Sequence, residues 1–141
     1  MEDSLRRLKV DYIHLYQVHW PDPLTPIAET AEAMNELLTQ GKVRVVGVSN
    51  YSVDQMEKFS LKCPLHTSQP PFNIFEKDIE NTVLEYCLSH GIAILAYGPL
   101  CRGLLTKKLK IDTEFKGDDL RKIDPKFRPP RFEEYLKCVD F

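Results

Sequence analysis

Apolar residues in this chain follow two periods, and the switches between them mark the elements. Tyr12-Ile13-His14-Leu15-Tyr16-Gln17-Val18-His19-Trp20 is short, rich in β-formers and apolar at most positions, which predicts a strand ended by Pro21-Asp22-Pro23. The spacing then lengthens. Ile27, Ala31, Met34 and Leu38 share one helical face, with Thr25 expected as the cap, Pro26 at the first helical position and Gly41 as the stop. Val43-Arg44-Val45-Val46-Gly47-Val48 returns to strand character. Ser52 with Gln55 three residues on forms a capping box for a helix through Met56 and Phe59, which Pro64 closes.

A third, shorter strand is predicted over His66 to Gln69, where Pro70-Pro71 demands extended backbone. From Ile79, the positions Val83, Tyr86 and Cys87 give an amphipathic helix stopped at Gly91. Ile92-Ala93-Ile94-Leu95-Ala96-Tyr97 follows as a continuous apolar strand of the buried parallel type. Leu104 to Pro130 is charged, carries Gly117, Pro125, Pro129 and Pro130, and reads as a long loop. Arg131 to Phe141 begins a helical pattern with Phe132, Leu136 and Val139 on one face, and Ser4 to Leu8 looks like the last turns of a helix. Both ends therefore read as truncated. Strands alternating with single helices predict an α/β protein with a parallel sheet, either doubly wound or part of a βα barrel, and periodicity alone does not choose between them.

Composition narrows the function classes. A chain of 141 residues with 43% hydrophobic and 28% charged residues has ordinary globular composition and fits one domain, residues 1–141. Its net charge of -2 and scattered Lys and Arg offer nothing to neutralise a phosphate backbone, so a nucleic-acid partner is disfavoured. Charges at Glu2, Asp3, Arg6, Arg7, Lys9 and Asp11 interrupt any signal-peptide core, and no apolar run suits a bilayer, so no membrane partner is expected. Cys63, Cys87, Cys101 and Cys138 are widely spaced without metal-ligand partners; free buried thiols, no metal site and a reducing cytoplasm are the expectations.

In parallel βα proteins, chemistry collects at the carboxyl ends of the strands. Here those ends are polar: His19-Trp20, Ser49-Asn50, Ser68-Gln69 and Tyr97-Gly98. Taken singly, each has a plainer explanation. A lone His at a strand end is more often structural, Ser-Asn suits a turn, Gln69 could hold a loop carbonyl and Tyr97 could be core. Taken together, they offer a flat aromatic face and side chains that both donate and accept hydrogen bonds, which is what a ring cofactor bearing a carboxamide requires.

The succession S-L-R-R-L-x-x-D-Y-I-H-L-Y-Q-V-H-W-P-D, G-K-V-R-V-V-G-V-S-N-Y-S, Q-P-P-F-N and A-Y-G-P-L-C-R-G-L-L-T resembles the aldo-keto reductases, in that order. The resemblance implies a TIM (β/α)8 barrel, of which this chain would supply about four βα units, strands four to seven. It also implies reduction of aldehydes or ketones with NADPH, NADH being possible. His19 would correspond to the family's active-site histidine, which hydrogen-bonds the substrate carbonyl, and Trp20 would line the substrate pocket. Ser49, Asn50 and Gln69 would hold the nicotinamide carboxamide and Tyr97 would stack on the ring. Gly98, Leu100 and Arg102 match positions along the cofactor pyrophosphate.

The departures are as informative. The family's general-acid tyrosine, with its lysine and aspartate, lies on strands that would precede Met1, so this chain alone is expected to be nearly inactive. Cys101 and Lys107 replace glycines common in the family's loop. The alternative from another class is a non-catalytic half barrel that self-associates through exposed sheet edges. An unrelated flavodoxin-like domain would need a glycine loop after the first strand, where this chain has W-P-D-P.

Overall fold

The computed structural model describes residues 1–139; Asp140 and Phe141, the last two positions of the final predicted helix, lie outside the described residues. The chain divides into two compact units, one of Met1–Phe72 with Glu76–Tyr97, the other of Asn73–Phe75 with the chain from Gly98 onward.

The first unit runs α1 (Glu2–Leu8), β1 (Ile13–Val18), α2 (Ile27–Thr39), β2 (Val43–Ser49), α3 (Val53–Ser60), β3 (Thr67–Gln69), α4 (Val83–Ser89) and β4 (Ala93–Ile94). Its strands pair in the order β1-β2-β3-β4, all parallel. Successive side chains point to opposite faces of a strand. Val46 and Val48 therefore share a face, and both are fully buried in one cluster with Ala31, Met34, Met56, Phe59, Val83 and Cys87 from the helices. The opposite face carries Gln17, Gly47, Thr67 and Ala93, which the register places in one row across the four strands.

Several local expectations meet the structure with a difference. The Ser52 capping box is present, its hydroxyl accepting from Gln55 N and the Gln55 side chain accepting from Ser52 N. At α2 the cap is Pro26 and not Thr25, because the Thr25 hydroxyl donates to Asp22 Oδ2 at 2.7 Å and closes the preceding turn. The β1 ladder ends at Val18, so His19 and Trp20 follow the strand. The fourth helix starts at Val83, after turns from Ile79.

The predicted buried strand Ile92–Tyr97 pairs as a regular ladder only over Ala93–Ile94, with Ala93 and Leu95 exposed. Leu95 N and Tyr97 N still donate to Ser68 O and Pro70 O, at 2.9 and 3.0 Å. Pro70 and Pro71 have no N–H to return, so the pairing thins where the prolines begin.

In the second unit, a 3-10 turn over Cys101–Thr106 runs into the stretch predicted as a long loop, which itself holds two more, Leu120–Lys122 and Pro125–Phe127, before α5 (Arg131–Val139). Buried Cys101, Leu104, Phe127 and Phe132 form its core, with Phe115, Tyr135 and Leu136 packed against them. Phe115 meets Phe127 edge-on at 5.3 Å. Cys63, Cys87 and Cys101 are buried as expected, whereas Cys138 is exposed: it lies on α5 away from the Phe132 side.

Candidate cofactor site

In the first unit, the four strand ends are tied together through Ser49 and Asn50. Asn50 follows β2 with a left-handed backbone, φ 61°, a conformation that Asn tolerates better than most residues. Its Nδ2 donates to Ser49 Oγ at 3.0 Å and to His19 O at 3.1 Å, reaching the end of β1. Its Oδ1 accepts from the Tyr97 hydroxyl at 3.0 Å, beyond β4. Asn50 N and Ser49 Oγ both donate to Gln69 O, at 3.4 and 2.7 Å, closing the link to β3. His19, Ser49, Asn50, Gln69 and Tyr97 are thus brought together.

Burial separates their roles. Ser49 is buried, Asn50 and Gln69 are half-buried, and Tyr97 keeps 40% of its surface exposed. The residues fit a carboxamide-bearing ring. Both Nδ2 hydrogens of Asn50 are engaged, but its Oδ1 and the Ser49 Oγ each keep an acceptor site, and the Gln69 side-chain amide makes no hydrogen bond among the described residues. Those groups would hold a carboxamide, with the exposed Tyr97 ring as the flat face. His19 is exposed, and its ring lies 6.3 Å from that of Trp20, itself 58% exposed.

Beneath this ring of polar ends lies a layer that the sequence patterns did not single out. Thr67 Oγ1 donates to Gln17 Oε1 at 3.0 Å, passing over Gly47, where a Cβ would stand 2.0 Å from Thr67 Oγ1 and 2.6 Å from Gln17 Oε1. A glycine inside a strand was the available signal, since it marks close approach of neighbours. Tyr51, next to Asn50, is buried with its hydroxyl unpaired among the described residues, and burial pushes its phenol up from the ordinary range.

The second unit contains Gly98, Leu100 and Arg102. Gly98 has φ 68°, and its carbonyl accepts from buried Asn73 Nδ2 at 3.0 Å, which gives a use to the last residue of the Q-P-P-F-N motif. Leu100 is 57% exposed. Cys101, Arg102 and Gly103 are successively left-handed, at φ 47°, 52° and 93°, and Lys107 is left-handed at 58°. Cys101 and Lys107 therefore occupy positions with the conformation that glycine accepts most easily. Arg102 Nε lies 3.4 Å from Asp124 Oδ2. Arg121 forks onto Asp119, with Nε 3.0 Å from Oδ1 and Nη2 2.6 Å from Oδ2, and this bond holds the Asp119 carboxyl down at about 2.

A parallel βα sheet with its polar side chains gathered at the carboxyl ends of the strands is the arrangement of a βα-barrel enzyme. The aldo/keto reductase family model matches residues 1–140, and the chain belongs to that family. It is 58% identical over 140 residues to the aldo-keto reductase YhdN of Bacillus subtilis, covering 99% of this chain and 42% of that protein. Among solved structures, the glycerol dehydrogenase of Gluconobacter oxydans superposes with a TM-score of 0.92 at 54% identity, again over 99% of this chain and 42% of that one. An aldo-keto reductase of Klebsiella pneumoniae solved with NADPH matches at a TM-score of 0.65 and 32% identity, over 86% of this chain and 42% of that one. The chain thus spans less than half the length of these relatives, and its fold is a partial TIM barrel.

Proposed function

We propose that this chain supplies the nicotinamide-holding part of an NAD(P)H-dependent carbonyl reductase, acting on small aldehydes or ketones within the complete protein. The observation that carries the reading is the Asn50 network, which joins four strand ends into one fixed set of donors and acceptors. Ser49, Asn50 and Gln69 hold the cofactor carboxamide, and Tyr97 offers its ring face. When bound, the cofactor supplies hydride. His19 hydrogen-bonds the substrate carbonyl oxygen and orients it, while Trp20 lines the pocket for the rest of the substrate. In the second unit, Gly98, Leu100 and Arg102 are assigned to the diphosphate. The proton for that oxygen comes from a general acid outside these 141 residues, so the isolated chain binds cofactor without turnover.

NADPH fluorescence titration of the chain tests this. Saturable binding that weakens about tenfold in Asn50→Ala supports the assignment, as loss of hydrogen bonds worth roughly 1.4 kcal/mol in sum is tenfold in affinity. An undiminished affinity in Asn50→Ala removes the carboxamide role. A preference for NADPH or NADH comes from the same titration with each nucleotide.

A second reading, self-association as a non-catalytic half barrel, is favoured by β1 and β4 each pairing on one side only among the described residues. Sedimentation at increasing concentration tests it. A monodisperse monomer with a cooperative melt excludes it.

A further inference from the structure

We propose that the Asp119–Asp124 segment braces the Gly98–Lys107 turn in readiness for a diphosphate anion, with Arg121 and Asp124 as positioning residues for cofactor binding. The proposal rests on the cofactor reading above and adds to it two residues that touch no assigned ligand.

The starting observation is backbone strain. Cys101 and Arg102 are adjacent non-glycine residues in the left-handed region, followed at once by Gly103, with Lys107 left-handed as well. Such runs persist only where the surroundings over-determine them, and they concentrate at binding sites. The surroundings here can be named. Cys101 and Leu104 are anchored by burial in the aromatic cluster of the second unit, and the Thr106 hydroxyl donates to Gly103 O at 2.6 Å.

Arg102, the residue between these anchors, is held at two separate points. At its backbone, Arg121 Nη1 donates to Arg102 O at 3.4 Å. Arg121 is itself fixed by the Asp119 fork and by lying over the Phe115 ring at 4.5 Å. At its side chain, Asp124 Oδ2 meets Nε at 3.4 Å. Asp124 is a rigid partner: its side chain is 11% exposed, and its Oδ1 accepts from Lys126 N at 3.0 Å. Closest approach at Nε leaves the terminal guanidinium amino groups as donors for an anion, and Arg is suited to phosphate through that planar fork. The strain, the backbone grip and the side-chain grip all bear on Arg102, the arginine of this turn, whose guanidinium offers its charge to phosphate. A segment with no purpose beyond joining elements would need none of them.

The test uses the full 141-residue chain with NADPH as the probe. Fluorescence titration is run on the unsubstituted chain, Arg121→Leu, Asp124→Asn and Asp124→Glu, alongside hydrogen exchange of residues 100–107. Asp124→Asn keeps an oxygen to cap the Pro125–Phe127 turn and replaces the carboxylate oxygen that faces Arg102 Nε and Lys126 Nζ with an uncharged amide NH2. Arg121→Leu is expected to weaken NADPH about tenfold, as loss of a hydrogen bond from a charged donor implies, and Asp124→Asn by at most about fivefold, because the ion pair it removes sits on a half-exposed Arg102. Asp124→Glu should restore affinity to within about threefold, a rescue that a purely structural role for the carboxylate would not require. Exchange at residues 100–107 should quicken in Arg121→Leu while residues 43–69 are unmoved. If the unsubstituted chain binds NADPH and both Arg121→Leu and Asp124→Asn bind it equally well, the brace is overturned and the cofactor reading stands. If the unsubstituted chain binds no NADPH, the cofactor reading fails and takes the diphosphate assignment with it, whatever the exchange shows.

Discussion

The Tyr97 hydroxyl donates to Asn50 Oδ1 at 3.0 Å, so the aromatic face beyond β4 is set by the same side chain that reaches the end of β1. This coupling separates two contributions of Tyr97. Tyr97→Phe keeps the ring and loses the tether, and NADPH affinity should fall by about threefold, since a hydrogen bond at an exposed site is worth about 0.5–1 kcal/mol. Tyr97→Ala loses the ring face too, a further cost of about 0.5–1.5 kcal/mol. Fluorescence titration of the three chains gives the order. Equal affinity in all of them removes the ring from the cofactor site.

Gly47 carries a stronger prediction, on stability. A Cβ there would sit 2.0 Å from Thr67 Oγ1 and 2.6 Å from Gln17 Oε1, and Gly47 is in the middle of β2, where backbone pairing on both sides prevents retreat. Gly47→Ala should destabilise the first unit by about 1–3 kcal/mol, the usual range for overpacking. Adding Thr67→Ala, which removes the nearer atom, should recover part of the loss. Urea denaturation followed by far-UV circular dichroism measures both. A single variant as stable as the parent would mean that the Gln17–Thr67 bond is not maintained in solution.

The strand–helix alternation and the polar strand ends were legible because each leaves a local mark: valine runs in β2, the i, i+4, i+7 spacing of α2, and Ser52 with Gln55 at α3. The second unit was not legible as a folded body. Leu104, Phe115, Phe127 and Phe132 follow no helical or strand period, so their joint burial appears only in three dimensions. The cap of α2 was misread for a related reason. Thr25 has the chemistry of a cap, but Asp22 three residues earlier competes for its hydroxyl, and the sequence contains both possibilities. The Asn50 network is intermediate. Its members were named as a set, but which of them is central depends on a left-handed backbone at Asn50 that no spacing encodes.

Asp119 makes the pH dependence of the second unit specific. The Arg121 fork lowers its carboxyl from 3.8 to about 2, so the folded form binds its proton less readily than the unfolded chain. The stabilisation is therefore complete above about pH 4 and is lost as pH falls through about 2. A carboxyl-carbon NMR titration of Asp119 should show a midpoint near 2, and the acid limb of the melting curve should flatten in Asp119→Asn over the same window. A midpoint at the ordinary 3.8 would mean that the fork is open in solution, and the grip of Arg121 on Arg102 would then lose its anchor.

His66 holds the lower end of the β2–β3 pairing by an unusual route. Its backbone N donates to Val46 O at 3.0 Å, while its ring Nδ1 accepts from Val46 N at 3.2 Å, so a side chain replaces the carbonyl that would normally complete the pair. Val46 is fully buried in the folded chain, and removing that ring takes away the side-chain partner of its N–H. His66→Ala should therefore cost about 1–3 kcal/mol, the penalty of a buried donor left unmade, and more than the side chain's modest burial would account for. His66→Asn offers a side-chain oxygen at a similar distance from the backbone and should recover most of it. Urea unfolding midpoints of the three chains decide the matter: recovery by Asn and not by Ala assigns the loss to the Val46 N–H, whereas equal loss in both variants assigns it to packing of the imidazole against Val46 and not to the hydrogen bond.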